Sequence, residues 1–374
     1  MNLGILTYSC AENVGAVLQC YALKEFLKSQ GHTANVINYQ PDYLTDSYGV
    51  FHNYLSFSKR NGIYRALTRF RYDLLNYKIN SKKYYVFEKF RNDFLDIDNM
   101  HIYRTKEEIE KVCSKFDIII TGSDQIWRNI PKINKIDPVF LLDFKKNNKI
   151  KTASYAASVG NISDISIENL IKKVKNIDSV SVREFDLKNV LVKNGIENVY
   201  CVLDPVFLLE DKKYDTIIKT SDILINEKYI FVYSLQKNDI LISLVNKIVN
   251  EKYNGNISVI YYSRDKLLFE CRKCSKLIVL SPSDFLKYIK YSSETVTNSF
   301  HGSAFSLIFN KNFYVVPHNT TGSRMYTLME KAGLAERIIT EINDVTIKDI
   351  NWDEVNSRLL KEKKDSIDFL INAI

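Results

Sequence analysis

The residues best placed to do chemistry are a histidine and two arginines, each just past a strand or at the opening of a helix. His301 stands in Thr-Asn-Ser-Phe-His-Gly (297–302), between a strand ending at Thr297 and an apolar helix over Ser303–Asn310. A strand-to-helix turn is where an open α/β sheet presents its ligand-binding groups. The free N–H groups at the helix start favour an anion, and an imidazole beside an anion site can pass protons near neutral pH. A plain hydrogen bond from His301 to a nearby carbonyl is the other reading. Arg183 in Ser-Val-Arg-Glu (181–184) follows a predicted strand, and Arg324 in Gly-Ser-Arg-Met (322–325) opens the helix Met325–Ala332. A guanidinium at either place can hold a carboxylate or phosphate in bidentate fashion, or simply pair with a neighbouring acid.

Two polar turns accompany them. Gly-Ser-Asp-Gln (122–125) follows the apolar strand Ile118–Ile120 and gathers Ser123, Asp124 and Gln125 at a strand's carboxyl end, with Trp127 close behind. That is the position of a site wall, with Trp127 a stacking platform for a sugar or a core residue. Asn13 and Gly15 lie between the first strand and first helix, either approaching an anion or sugar, or serving as N-cap and packing glycine. Asn-Val-Gly-Ala (13–16) lacks the glycine spacing of a dinucleotide-binding fingerprint. Asp204-Pro205 reads as a turn, with lining of the cleft as its alternative. Small residues in Tyr-Ala-Ala-Ser-Val-Gly (155–160) permit close backbone approach at another strand end.

The elements that must hold these groups follow an α/β rhythm. Leu3–Tyr8, a helix from Val14 to Gly31 and Ala34–Tyr39 form a βαβ unit, and such crossovers are right-handed and parallel. Strands follow at Phe116–Thr121, Thr152–Ala156, Ser179–Val182 and Val199–Val202. A second set comprises Tyr229–Tyr233, Ile257–Tyr261, Leu277–Leu280, the Thr297 strand and Phe313–Val316, with a helix over Ile240–Asn250. We expect a Rossmann-like domain over 1–208, carrying a helical insertion at about 41–100, and a second over 209–345. A helix over 346–374 would pack back on the first domain.

The bulk composition fits a globular protein of two domains: 374 residues, 45% hydrophobic and 26% charged. No run reaches the ~18 apolar residues of a membrane span, and no signal layout opens the chain, so a cytoplasmic location is expected. Cys271 and Cys274 have metal-ligand spacing but neither a second pair nor a nearby histidine, so no metal is expected. The net charge of +8 is concentrated between Lys59 and Arg91, where tyrosines and Phe57, Phe70, Phe87 and Phe90 are interleaved. That region could be the water-facing side of amphipathic helices, or could face an anionic glycan or membrane surface. No nucleic-acid motif accompanies it.

Taken in order, 13–23 (Asn-Val-Gly-Ala-Val-Leu-Gln-Cys-Tyr-Ala-Leu), 122–127, 155–160, 181–184, 204–209 (Asp-Pro-Val-Phe-Leu-Leu) and 299–302 resemble the polysaccharide pyruvyl transferase family. Arg324-Met-Tyr-Thr-Leu-Met and Gly333-Leu fit as well, and only 41–100 and about the last thirty residues fall outside. The resemblance implies two Rossmann-like domains arranged as in GT-B glycosyltransferases. It also implies phosphoenolpyruvate as co-substrate, without a cofactor, and pyruvyl transfer to sugar hydroxyls as a cyclic ketal. His301 would be the general acid/base. Arg183, Arg324, Ser299, Gly302, Asn13 and Gly15 would form the donor side, and Asp124, Ser123, Gln125 and Trp127 the acceptor side. Many members have an arginine two positions before the histidine; Ser299 stands there, so that anion contact must come from elsewhere, for instance Arg324. The partners implied are phosphoenolpyruvate and a glycan or lipid-linked sugar, with peripheral association at the inner membrane face. A nucleotide-sugar glycosyltransferase of the same fold and a glycan-binding module without catalysis are the rival readings.

Overall fold

The computed structural model describes residues 1–46, 48–51, 62–97, 101–144, 150–317, 323–342 and 345–374. Phe57, Lys59 and Gly322, which the sequence singles out, lie outside them.

The first sheet has six strands: β1 (Asn2–Leu6), β2 (Thr33–Val36), β3 (Ile118–Thr121), β4 (Lys151–Ala157), β5 (Ser179–Val182) and β6 (Val199–Cys201). All pair in parallel in the order β2-β1-β3-β4-β5-β6. Every residue of β3 is buried, as a strand covered on both faces requires. Helix α1 (Val14–Ser29) crosses from β1 to β2. The insertion then contributes α2 (Ile63–Leu75) and α3 (Tyr77–Phe90), and α4 (Lys106–Cys113) leads into β3. Helices α5 (Ile167–Val174) and α6 (Phe185–Lys193) complete the domain.

The second sheet is also all parallel: β7 (Tyr229–Tyr233), β8 (Ser258–Tyr262), β9 (Lys273–Leu277), β10 (Glu294–Thr297) and β11 (Phe313–Val315), in the order β11-β10-β7-β8-β9. Its helices are α7 (Asp239–Tyr253), α8 (Pro282–Tyr291), α9 (Phe300–Ile308) and α10 (Ser323–Ala332). The strand expected at Leu277–Leu280 is instead β9. As an edge strand it pairs only with β8, from Ser258↔Lys273 to Tyr262↔Leu277, and so needs no continuous apolar run. Cys271 and Cys274 sit at its start, and both are free thiols.

Strand order reverses between β1 and β3 in one sheet and between β10 and β7 in the other. Ligands of open α/β sheets bind outside the strand ends at such points. The insertion is fastened to the loop ahead of α1. Lys83 on α3 pairs with Glu12 at 3.0 Å, Glu12 accepts from Gly49 N at 2.7 Å, and Arg91 donates to the Cys10 carbonyl at 3.3 Å.

The last helix, α11 (Trp352–Ala373), lies on the first sheet's far strands. Leu203 N donates to Ser366 Oγ at 2.9 Å, and the Phe369 ring lies 5.1 Å from Tyr200 and 6.4 Å from Tyr155. Phe369→Ala removes a buried ring between two aromatic neighbours. The expected loss is about 3 kcal/mol, read as a lower denaturant midpoint; an unchanged midpoint would show that α11 does not hold the first domain.

Candidate active site

Thr297 and Asn298 fix the turn that carries His301. Thr297 Oγ1 donates to the Tyr233 carbonyl at 2.7 Å and accepts from Ser299 N at 3.0 Å. The Asn298 amide bridges back to the end of β7, accepting from Leu235 N at 2.8 Å and donating to the Gln236 carbonyl at 3.0 Å. Ser299 is the N-cap of α9, its Oγ facing Gly302 N at 3.5 Å. Gly302 packs hard on the strand end, where an added Cβ would come within 2.4 Å of Thr297 Oγ1. Ser299 and Gly302 thus build the turn that carries His301.

His301 emerges from the first turn of α9 and reaches across to the other domain. Its ring lies over Gly15: a Cβ there would fall 2.0 Å from Nδ1 and 2.6 Å from Cε1. Only glycine allows this seat. Asn13 is the N-cap of α1, accepting from Gly15 N at 2.9 Å and Ala16 N at 3.2 Å. The loop that precedes α1 and the turn that follows β10 therefore meet where the two strand-order reversals face one another.

Asp204 occupies the centre. Arg183 Nη1 and Ser123 Oγ each donate to its Oδ2 at 2.8 Å, and His301 Nε2 lies 3.7 Å from the same oxygen. Arg183 is only 3% exposed. Its guanidinium also lies 4.4 Å over the Phe300 ring, so α9 covers it from the second domain. Arg183 Nε stands 3.6 Å from Glu184 Oε1, which accepts from Ser158 Oγ at 2.5 Å. Arg324, in the first turn of α10, donates to the Gln125 amide oxygen once that amide is oriented to accept. Among the described residues, Arg183 Nη2 and Nε, Arg324 Nε, His301 Nε2 and Glu184 Oε2 are buried without a hydrogen-bond partner. Buried donors left this way are costly unless something else accepts from them.

The wall opposite is the turn after β3. Gly122 N donates to the Leu6 carbonyl at 2.8 Å, and Thr7 Oγ1 donates to the Ser123 carbonyl at 3.0 Å. Asp124 takes a left-handed backbone (φ 81), with its own Oδ1 accepting from Gln125 N at 2.8 Å. Aspartate tolerates that region better than most residues, and departures of this kind collect at functional sites. A bulge in β4 between Ser154 and Ala157 delivers Ser158 and Gly160 to the same edge, and Gly160 packs on Gln125.

Electrostatics separate the ionisable groups. Burial works against the Asp124 charge, but Arg183, His301, Arg324 and the Gln125 N–H together hold its carboxyl below the usual range. Burial pushes Glu184 up, against Arg183 and Ser158. Burial, reinforced by Arg183, draws Arg324 down to about 10. His301 is pushed down by burial, with Asp204 and Asp124 opposing and Arg183 and Arg324 assisting. The result is an imidazole biased toward its neutral form, close to guanidinium groups that keep donors to spare.

The structure thus gathers His301, Arg183, Arg324, Gly15, Ser123, Asp124 and Gln125 in one place. Trp127 is corrected: it is fully buried, and its indole N–H donates to the Phe140 carbonyl at 2.9 Å, so no ring face meets a sugar. Asp204, read from sequence chiefly as a turn, proves central. The signal that could have found it is its place at the carboxyl end of β6, level with Arg183 after β5. Phe300 and Ser158 lie inside motifs that the sequence singles out, but neither reads there as a site residue itself.

The profile of a family described as polysaccharide pyruvyl transferase matches residues 13–320 of this chain. No curated protein matches it. Among solved structures, UDP-GlcNAc 2-epimerase from Neisseria meningitidis bound to UDP-GlcNAc is similar over 99% of each chain, at 11% identity and a TM-score of 0.55. The S. aureus MnaA–UDP structure is similar over 99% of this chain and 88% of that one, at 12% identity and a TM-score of 0.50. At such identities the likeness shows the fold, two Rossmann-like domains in a GT-B-like arrangement.

Two outcomes follow from the geometry. The ordinary histidine pKa is about 6.5, and the folded value of His301 lies below it. Unfolded chain therefore binds the proton more readily, so the stabilising contribution is complete above about pH 6.5 and is lost as pH falls below it. His301→Gln should flatten that decline in urea unfolding; an unchanged decline would place the titration elsewhere. Gly15→Ala should displace the imidazole, shifting the His301 ring signals in NMR while the protein stays folded. Unmoved signals would contradict the seat.

Proposed function

The chain belongs to the polysaccharide pyruvyl transferase family, and from that premise we propose that it moves the pyruvyl group of phosphoenolpyruvate onto sugar hydroxyls. One observation carries this reading: among the described residues, Arg183 Nη2 and Arg324 Nε are buried without a hydrogen-bond partner, close to a histidine that burial biases toward its neutral form. A compact anion carrying both carboxylate and phosphate supplies acceptors for such donors. Phosphoenolpyruvate has both, on the carbon that must react.

The chemistry assigns each group a task. Protonation of the enol methylene makes it a methyl group and leaves an oxocarbenium-like centre at C2. A sugar hydroxyl adds to C2 and gives up its proton. Phosphate then departs from C2, and a second hydroxyl of the same sugar closes the cyclic ketal, releasing its proton. Burial biases His301 toward its neutral form, which can take a hydroxyl proton. Asp204, 3.7 Å from Nε2, then stabilises the imidazolium, which returns the proton in the complementary step. Arg183 and Arg324 meet the donor's negative charge, compensating for Ser299 at the position where many members carry arginine. Asp124, Ser123 and Gln125 face the acceptor.

The acceptor on this reading is a sugar unit of a surface polysaccharide, carried on a lipid-linked intermediate at the inner membrane face. No helix among the described residues is long and apolar enough to cross a membrane. The fold also serves enzymes with nucleotide-linked sugars bound, so a nucleotide-sugar donor is the competing reading.

Phosphate release from phosphoenolpyruvate, measured across a panel of glycan acceptors, tests the proposal. Release is expected with at least one acceptor. His301→Ala should lower turnover by about 10²–10⁴, and Arg324→Gln should chiefly raise the KM for phosphoenolpyruvate. No release with any acceptor, together with consumption of a nucleotide-sugar, would sink the reading.

A further inference from the structure

Within the insertion, an apolar stripe is exposed among the described residues. On α2, Ile63, Leu67, Phe70 and Leu74 recur at spacings of four and three, and Tyr77 continues the row at the start of α3. Ile63 is 74% exposed, Leu67 60% and Leu74 52%. Only Phe51 lies against this row among the described aromatic contacts, stacked on Phe70 at 6.5 Å and tilted toward Tyr77 at 5.8 Å. The helices meet at Asn76, which closes α2 by donating its N–H to the Tyr72 carbonyl at 3.0 Å and opens α3 by accepting from Asn80 N at 2.9 Å. The two consecutive helices together make up the arm of the insertion.

Beside the apolar row the arm is basic. Arg71, Lys78 and Lys82 are exposed, with Tyr64 and Tyr85 among them. The acids of the two helices are occupied: Asp73 is buried with Arg69 nearby, and Glu88 pairs with Arg91 at 2.6 Å. Apolar side chains bordered by tyrosines and cations are what an interfacial helix presents to a bilayer carrying negative headgroups. The same spacing would suit a coiled coil with a second copy. Pairing two such arms, however, would set Arg71 and Lys78 against cations, since neither helix offers an exposed acid to answer them.

We infer that the α2–α3 arm docks the protein on an anionic membrane surface, inserting Ile63, Leu67 and Leu74 shallowly while Arg71, Lys78 and Lys82 meet lipid headgroups. The inference agrees with a lipid-linked acceptor but rests on the arm's surface and not on the donor. Docking has a consequence for the site. Lys83, on the same helix, holds Glu12 in the loop that leads to Asn13 and Gly15. The docked arm thus sets the height of the cleft above the membrane through a short, fixed linkage.

The test is co-sedimentation of the full chain with vesicles of phosphatidylcholine, either pure or with about one-third phosphatidylglycerol. Binding is expected to the anionic vesicles and to fall with salt. Leu67→Glu/Leu74→Glu and Arg71→Glu/Lys78→Glu/Lys82→Glu should each weaken it at least about tenfold. These side chains are exposed, so the thermal midpoint should hold. Absence of binding at low salt, or equal binding by both variants, would overturn the inference. So would a wild-type dimer that Leu67→Glu/Leu74→Glu converts to monomer, because the arm's occupant would then be a second copy. Turnover on a water-soluble acceptor is followed in parallel. It should survive in both variants, whereas failure of the donor reading would abolish it in wild type and leave vesicle binding intact.

Discussion

One carboxylate oxygen organises the cleft. Asp204 Oδ2 takes hydrogen bonds from Arg183 and Ser123 and faces His301 Nε2. A buried charge persists only when it is paired and hydrogen-bonded. The guanidinium that satisfies Asp204 is in turn covered by Phe300 from the other domain. Two sheets, each ending its strands at the same edge, are thereby committed to face each other. The arrangement is asymmetric: Asp204 engages one side of the Arg183 fork and leaves Nη2 without a partner among the described residues. The pair that the second domain covers also keeps binding capacity in hand.

Much of this was legible in the chain itself. The apolar runs Ile118–Ile120 and Tyr229–Tyr233 announce buried parallel strands, because a strand covered on both faces cannot alternate. His301 and Arg183 were legible because chemistry collects just past strand ends, and a strand–turn–helix pattern is a local signal. Trp127 was misplaced because a sequence does not tell whether a residue behind a site wall faces the cleft or the core. Gly15 was seen as a glycine that lets something approach, but what approaches is a side chain nearly three hundred residues away. Asp204 was undervalued for a related reason: its importance depends on Arg183, Ser123 and His301 converging, and none is its neighbour in sequence. β9 went astray because edge strands, paired on one side, carry a weaker apolar signature.

The split in ionisation within the cluster follows from position more than from residue type. Asp124 lies among three cationic or protonatable groups and is held charged, whereas Glu184, deeper and facing fewer of them, is pushed toward its neutral form. Arg324 shares its surroundings with Arg183 and gives up part of its basicity. A site organised this way welcomes negative charge without being flooded by positive charge when it is unliganded.

The seat of His301 on Gly15 works as an interlock. The imidazole belongs to one domain and the surface that orients it to the other, so this seat exists only while the halves are together. Were they to part, Asp204 would remain with Arg183 and the histidine would leave with α9. Opening the cleft would thus separate the imidazole from Gly15 and from Asp204 in one movement. Specificity for the closed state is written into the absence of a single side chain.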